Sequence, residues 1–415
     1  MTERKIARRL LPFLLVIYIT AYIDRVNVGF AGIEMTRELH FSNAVFGFGA
    51  GIFFFGYCLL EIPGAMLADR WSARKWIAAI MIAWGMLASL TGLIQTSTQF
   101  NIVRFLLGLA EGGFFPAVIV YLTHWFRRAD RAKAVALFMA AIPVANAVGG
   151  PIAGRLLSLH WLGISGWRWL LMLEGLPALV GGVATLFYLT DWPHHARWLS
   201  PEERAWMIEE LAREDREKQE RHPHMSILEA FRKPLVLALA LSYFGLNMAA
   251  YGLFIWMPKL VAKFPGLTIW QVGLVASIPH LCAIPAMSIA GWHSDRTGER
   301  RWHAFGGVLA AAAGLSISQI PGLSLTGVVA GFSLAAVGIM SYLPCFWAVP
   351  AETLSAGVAA ASVGFINLIG NLGGFAGPYA IGFLSDLTGT YGAGLLLLVA
   401  SAVISGIILA CLRSR

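Results

Sequence analysis

Six ionisable side chains interrupt otherwise apolar runs, and they are where chemistry could occur: Asp24, Arg25, Glu61, Arg104, Glu111 and Glu174. A charge at the centre of a bilayer costs roughly 2.5–3.5 kcal/mol on insertion scales, so each is a candidate functional group. Arg25 offers a rigid two-pronged donor that matches a carboxylate and stays charged. A carboxyl in an apolar cavity can accept a proton near neutral pH, which suits Asp24 and Glu111 to carrying one. Asp24 and Arg25 are adjacent, hence about 100° apart on a helix. Both can border a wide cavity, or they can neutralise each other as a structural pair. Tyr22 and Asn27 add hydrogen-bonding groups beside them.

Arg104, Gly108 and Glu111 stand at i, i+4 and i+7, one face of a helix. Gly108 and Gly112 form a GxxxG step that admits a close neighbour. Arg104 either stabilises an ionised Glu111 or anchors packing. Glu61 suits a gate pair, a structural role or coupling, and Glu174 reads as scaffold. The second half of the chain offers amides and rings instead: Asn247 with Tyr251 and Asn367 with Asn371, each at i, i+4, together with Trp347. These can bind substrate hydroxyls or carbonyls without moving net charge. His280 could titrate, though a lone histidine usually packs. Gly370 and Gly374 form a second close-packing step beside the amides.

The elements that must position these residues follow from composition. The chain has 415 residues, 58% hydrophobic and 13% charged, with a mean hydropathy of +0.68. That excludes disorder, coiled coil and ordinary soluble enzymes, and leaves a polytopic membrane protein. No GxSxG, HExxH, P-loop or GxGxxG is present, so an enzyme is not expected. Cys58, Cys282, Cys345 and Cys411 stand alone, which predicts neither a metal site nor disulfides. The basic N-terminus followed by an apolar run lacks a small-residue cleavage site and reads as a retained first helix.

A hydrocarbon core of about 30 Å needs roughly 20 apolar residues per helix. Twelve spans result: 10–33, 43–68, 75–95, 100–124, 133–158, 167–190, 234–258, 269–291, 302–319, 323–348, 357–384 and 390–412. With both termini on one side, that side receives 24 of the 31 basic residues, against five opposite: Arg37, Arg155, Arg168, Lys259 and Lys263. The bias predicts cytoplasmic termini. It also accounts for the formal charge of +8 without nucleic-acid binding. Residues 1–192 and 234–415 read as two six-helix bundles, joined by a cytoplasmic linker at 193–233. Within the linker, Ser200, Pro201 and Glu203 predict a capped helix over 201–220, and Ser226 with Glu229 a second short one.

The chain repeats itself at an offset of about 226 residues: LADRWSARKW (67–76) aligns with HSDRTGERRW (293–302), and GGPIAG (149–154) with AGPYAIG (376–382). Duplicated six-helix halves are a transporter plan, with substrate bound between them. In each loop an acid stands among arginines: Asp69 with Arg70 and Arg74, Asp295 with Arg296 and Arg300. Such groups can latch neighbouring helices in one conformation and release them in another. The plainer reading is a topogenic loop and helix stop.

The duplicated loop resembles the signature of the major facilitator superfamily, with Ala65 and Ser72 departing from it in the first copy. YIDRVN (22–27), GYCLLEIPG (56–64), RFLLGLAEGGFFPAVIVYLTHWF (104–126), GWRWLLMLEGLPA (166–178) and INLIGNLGGFAGP (366–378) are similar to its anion:cation symporter family. The EIP variant, RWLSPEERAW and FWAVP (346–350) resemble the tartrate and hydroxyphenylacetate permease branch. The resemblance implies an all-α fold of 12 transmembrane helices in two pseudo-symmetric bundles. These would rock around a central organic-anion site in the inner membrane, the protein acting as a monomer. It also implies that Arg25 clamps a substrate carboxylate, that Asp24 and Glu111 take protons, and that Tyr57 contacts substrate. A co-transported proton, rather than sodium, and a small organic acid anion are then the expected partners, with no bound cofactor. Export of an acid or a drug remains an alternative. A non-transporting sensor would need a larger soluble domain.

Overall fold

The apolar runs of the sequence become helices throughout the computed structural model, which describes residues 2–219, 233–353 and 356–412. In chain order the helices are α1 (Thr2–Glu38), α2 (Asn43–Arg70), α3 (Ala73–Thr91), α4 (Ser97–Glu111), α5 (Phe114–Thr123), α6 (Arg128–Met139), α7 (Ala141–Leu157) and α8 (Gly166–Tyr188). After them come α9 (Pro201–Gln219), α10 (Pro234–Val261), α11 (Ile269–Thr297), α12 (Arg301–Ile317), α13 (Leu325–Thr353), α14 (Ala356–Thr388) and α15 (Gly392–Cys411). Among the described residues, ten stretches are long and apolar enough to cross a membrane, with α4 and α5 forming one of them and part of α6 joining α7 in another. The 17-residue α12 and the helix α14 occupy the ninth and eleventh expected spans. The helices overrun the expected bounds: α1 starts at Thr2 and α11 continues to Thr297.

Local chemistry explains the ends. Ser42 Oγ accepts from the Val45 amide at 3.2 Å and Ser72 Oγ from the Lys75 amide at 3.1 Å. Thr96 with Gln99 and Thr268 with Gln271 form capping boxes, which satisfy amides that lack intrahelical partners. The linker contains the expected box: Ser200 N donates to Glu203 Oε2 at 2.9 Å, and Glu203 N to Ser200 Oγ at 3.1 Å. The second linker helix, expected from Ser226 and Glu229, lies outside the described residues.

The first six spans pack against one another chiefly through α3 on α8, α2 on α4 and α1 on α7 and α8, and the last six through α10 on α14 and α15, α12 on α13 and α15, and α11 on α13. The halves meet along α2–α14, α7–α11 and α1–α10. The N-terminal end of α1, Arg127 and α9 gather at one face. There Lys5 pairs with Glu203 at 2.6 Å, Arg9 lies over the Trp198 ring, and Arg127 reaches Glu210 at 3.7 Å.

At the opposite, far face the halves close on each other. Gly29 lies against the Ile255 backbone and Gly47 against the Pro378 carbonyl, where a Cβ would collide. Trp256 Nε1 donates to Pro378 O at 3.0 Å. The Asp386 carboxylate accepts from the Asn43 and Ala44 amides at 3.1 and 2.7 Å, capping the start of α2 from the other half. One apolar core runs across this face, joining Phe30, Phe46 and Phe100 to Ile255, Trp256 and Val272.

Candidate functional site

Arg25 and Asp24 leave α1 in different directions. Asp24 turns into the first bundle, where Trp84 Nε1 on α3 donates to it at 2.9 Å and Asn27 Nδ2 at 3.0 Å. Arg25 faces α2 and α4. Its Nε donates to Glu111 Oε1 at 3.1 Å and its Nη2 bonds the same oxygen. The self-neutralising Asp24–Arg25 pair, one of the two readings of the sequence, is therefore absent from this conformation. Both members of the Arg25–Glu111 pair are buried, with side chains 9% and 1% exposed. Glu111 Oε2 has no hydrogen-bond partner.

Glycine sets that geometry. A Cβ on Gly108 would strike the Phe53 carbonyl and one on Gly112 the Tyr57 carbonyl. Bare backbone on α4 thus lets α2 approach, as the GxxxG spacing implies. Helix α4 ends at Glu111 and α5 resumes at Phe114, so the acid stands at the break. The approach brings three rings around the guanidinium of Arg25: Tyr22 at 4.8 Å, Tyr57 at 4.9 Å and Phe53 at 5.6 Å. Cation–π attraction holds the charge in place.

Arg104 is fully buried one turn before Gly108. It lies over Phe53 at 4.9 Å and reaches the Ala50 carbonyl at 3.5 Å. It thereby anchors α4 to α2, while its charge also acts on Asp24 and Glu111. Glu174 on α8 is buried beside Asn27 and Asp24. Asn27 thus belongs to this interior acid cluster, on the Asp24 side of α1.

Across the interface, Tyr251 meets the Phe54 ring at 4.4 Å and lies within electrostatic reach of Arg25. Asn371 Nδ2 donates to Glu61 Oε2 at 3.2 Å and Asn367 Nδ2 bonds Glu61 Oε1, so the amide pair of α14 grips an acid of α2. Asn247 is buried beside Tyr243. Trp347 packs edge-on against Tyr243 at 5.0 Å. His280 is buried against Phe254 at 4.6 Å, a packing position. Gly370 and Gly374 take the Tyr243 and Phe54 rings.

The loop acids behave differently from a cross-helix latch in this conformation. Asp295 pairs with Arg300 of its own loop, and Arg296 lies over Trp292 at 5.5 Å. Asp69 and Arg70 are exposed and make no ion pair among the described residues. Arg74 instead binds Asp191 beyond α8: its amide donates at 2.9 Å and its Nε stands at 3.6 Å, with Ser72 Oγ donating at 2.8 Å.

Asp191 carried no signal in the sequence, since it sits at the start of the linker. Trp84 and Tyr18 went unnoticed among the 12% aromatic residues. Tyr18 stacks on Phe138 at 4.1 Å and meets Tyr22 edge-on at 5.1 Å, supporting the ring beside Arg25.

Two helical bundles that close on each other at one face, with a buried ion pair inside the first, have the architecture of a membrane transporter. The chain belongs to the Major Facilitator Superfamily, whose model matches residues 14–378. It is 43% identical over 406 residues, 98% of this chain and 93% of the relative, to a "Putative tartrate transporter" of Agrobacterium vitis. It is 36% identical over 398 residues to a "Quinolone resistance transporter" of Acinetobacter baumannii, covering 94% and 90% of the two chains. Its fold matches the crystal structure of a bacterial homologue of the human lysosomal transporter Spinster with a TM-score of 0.79, over 98% and 96% of the chains at 20% identity. The relatives and fold are those of transporters, not enzymes, and agree with the anion-permease branch that the motifs resemble.

Proposed function

We propose that this transporter takes up a small carboxylate with protons across the inner membrane, its termini in the cytoplasm. The observation that carries the reading is the buried Arg25–Glu111 pair. Arg25 already holds a carboxylate, in a setting that excludes water and strengthens the bond. A substrate carboxylate of the same shape can take that place only when Glu111 gives it up. Protonation of Glu111 removes its charge and frees the guanidinium, so proton loading and anion binding favour each other at one arginine. Tyr22, Tyr57 and Tyr251 then bound the substrate, and Asn247, Asn367, Asn371 and Trp347 supply its polar and shape contacts from the second half. Asp24, held by Trp84 and Asn27, is a second proton carrier.

Stoichiometry follows from charge. The membrane potential is worth about 2.3 kcal/mol per charge per 100 mV. One proton with a monoanion gains nothing from it, whereas two protons with a monoanion are driven inward. The far face, closed here, would open outward, and the Asp69 and Asp295 loops would rearrange as it does. The test is a thermal-shift screen of purified protein against carboxylates, repeated with Arg25→Ala. Carboxylates stabilise the native protein by more than the variant; hits confined to non-acids overturn the substrate class.

Export is a second reading, supported by the likeness to the quinolone resistance transporter. Uptake assays in right-side-out and inverted vesicles separate the two directions.

A further inference from the structure

The far face carries a second cluster of charge, outside the central site. A cavity of about 300 Å³ opens where the ends of α1 and α10 meet the starts of α2 and α15. Arg37, Thr36 and Asn43 line it from the first half, and Lys259, Lys263 and Tyr391 from the second. Three of the five basic residues expected on this side of the membrane therefore converge on one pocket.

The two lysines are positioned by polar and aromatic groups. Lys259 Nζ donates to Thr36 Oγ1 at 3.2 Å and Asn43 Oδ1 at 3.4 Å. It stands over the rings of Phe46 at 4.8 Å and Trp256 at 5.0 Å. Lys263 stands over Tyr391 at 4.1 Å, and the Tyr391 hydroxyl donates to Asn43 Oδ1 at 3.1 Å. The nearby carboxylates are engaged elsewhere. Asp386 caps α2, Glu38 binds Arg168 at 3.1 Å, and Glu34 accepts the Trp167 amide at 3.2 Å. Among the described residues, none of the three cations has an acid within ion-pair distance.

We propose that this pocket binds a small dianion, a dicarboxylate or an inorganic oxyanion of the same charge. The three cations line the pocket directly, while the acids that act on them, Asp386 on Lys259 and Glu34 on Arg37, stand outside its lining, so the lining itself is positive. The donors are the cationic head groups themselves, since the Tyr391 and Thr36 hydroxyls already donate to Asn43 Oδ1 and the Gly32 carbonyl, and the volume suits a few heavy atoms. Because both halves build the pocket, it exists only while the far face is closed. A ligand there stabilises that conformation. Dianions on the far side thus act as brakes, slowing the return of the transporter to its outward-open state. The inference is independent of the role given to Arg25.

The test uses full-length protein in phosphatidylcholine nanodiscs at low ionic strength, with Arg25→Ala and Glu111→Gln together silencing the central site without leaving a buried unpaired charge. Malonate, acetate and sulfate are titrated by calorimetry. Malonate binds, acetate binds more weakly, and sulfate competes if charge alone is read; failure of sulfate to compete restricts the pocket to dicarboxylates. Adding Arg37→Gln and Lys263→Gln weakens malonate by about tenfold or more, as loss of two nearby charges requires. Both side chains are exposed, so folding is retained, and in the native background the same pair of changes relieves inhibition of uptake by external malonate. The proposal is overturned if the protein with the silenced central site binds no malonate, or binds it equally after the two far-face charges are removed.

Discussion

The two halves share a fold but divide the work. The first half places Arg25, Glu111, Asp24, Arg104, Glu61 and Glu174 inside the protein. The second presents amides and rings at the corresponding interface: Asn247, Tyr251, Trp347, Asn367 and Asn371. Buried charge is costly unless paired, and breaking such a pair costs about 3–5 kcal/mol. Grouping the ionisable residues in one bundle lets them compensate one another without depending on the moving partner. The second half can then slide past groups whose hydrogen bonds are cheaper to break. Glu61 is the exception, reaching across α2 to two amides of α14.

Removing the central charge should break this division most severely. Arg25→Ala is expected to lower carboxylate affinity by more than about 100-fold and to destabilise the fold, because it leaves Glu111 buried and unpaired. Arg25→Lys should recover only part of the affinity, since a point charge cannot replace the two-pronged donor. Equilibrium binding and thermal unfolding of both variants measure this. Next in size is closure: Gly47→Leu forces α2 from the Pro378 carbonyl and should shift the population toward a far-face-open state. A cysteine introduced at Thr36 would then label faster, and unchanged labelling would count against the closure geometry. Asn371→Ala, on the second half, should change affinity or selectivity several-fold while leaving proton dependence intact, as uptake competition between hydroxylated and plain carboxylates can show. Smallest is Glu203→Ala, which removes a capping box and should cost about 0.5–2 kcal/mol without altering transport.

Much of this architecture was legible in the residues. Apolar runs predicted twelve spans, Ser200 and Glu203 the linker helix, and the spacing of Gly108 and Gly112 a close neighbour for α4, though not which one. Arg25 and Glu111 stood out because charge is scarce in the spans. What remained hidden was pairing. The residues offered Asp24 as a partner for Arg25 and Arg104 as one for Glu111, whereas the structure pairs Arg25 with Glu111. Glu61 meets Asn367 and Asn371 across more than 300 residues of chain, a contact that local periodicity cannot reveal. The loop motif drew attention to Asp69, yet it is Asp191 that binds Arg74 here, because the end of α8 lies beside the start of α3. Tyr18 and Trp84 were invisible for the opposite reason: aromatic residues are too common in this chain for any one to stand out.

The central claim is that proton loading and anion binding meet at the Arg25–Glu111 pair. Glu111→Gln, reconstituted in proteoliposomes, tests it directly through two readings of the same preparation. Substrate exchange across a membrane without a pH gradient should persist, since an amide mimics the protonated acid. Accumulation driven by an imposed pH gradient should fall sharply. Full pH-driven accumulation by Glu111→Gln would contradict the account.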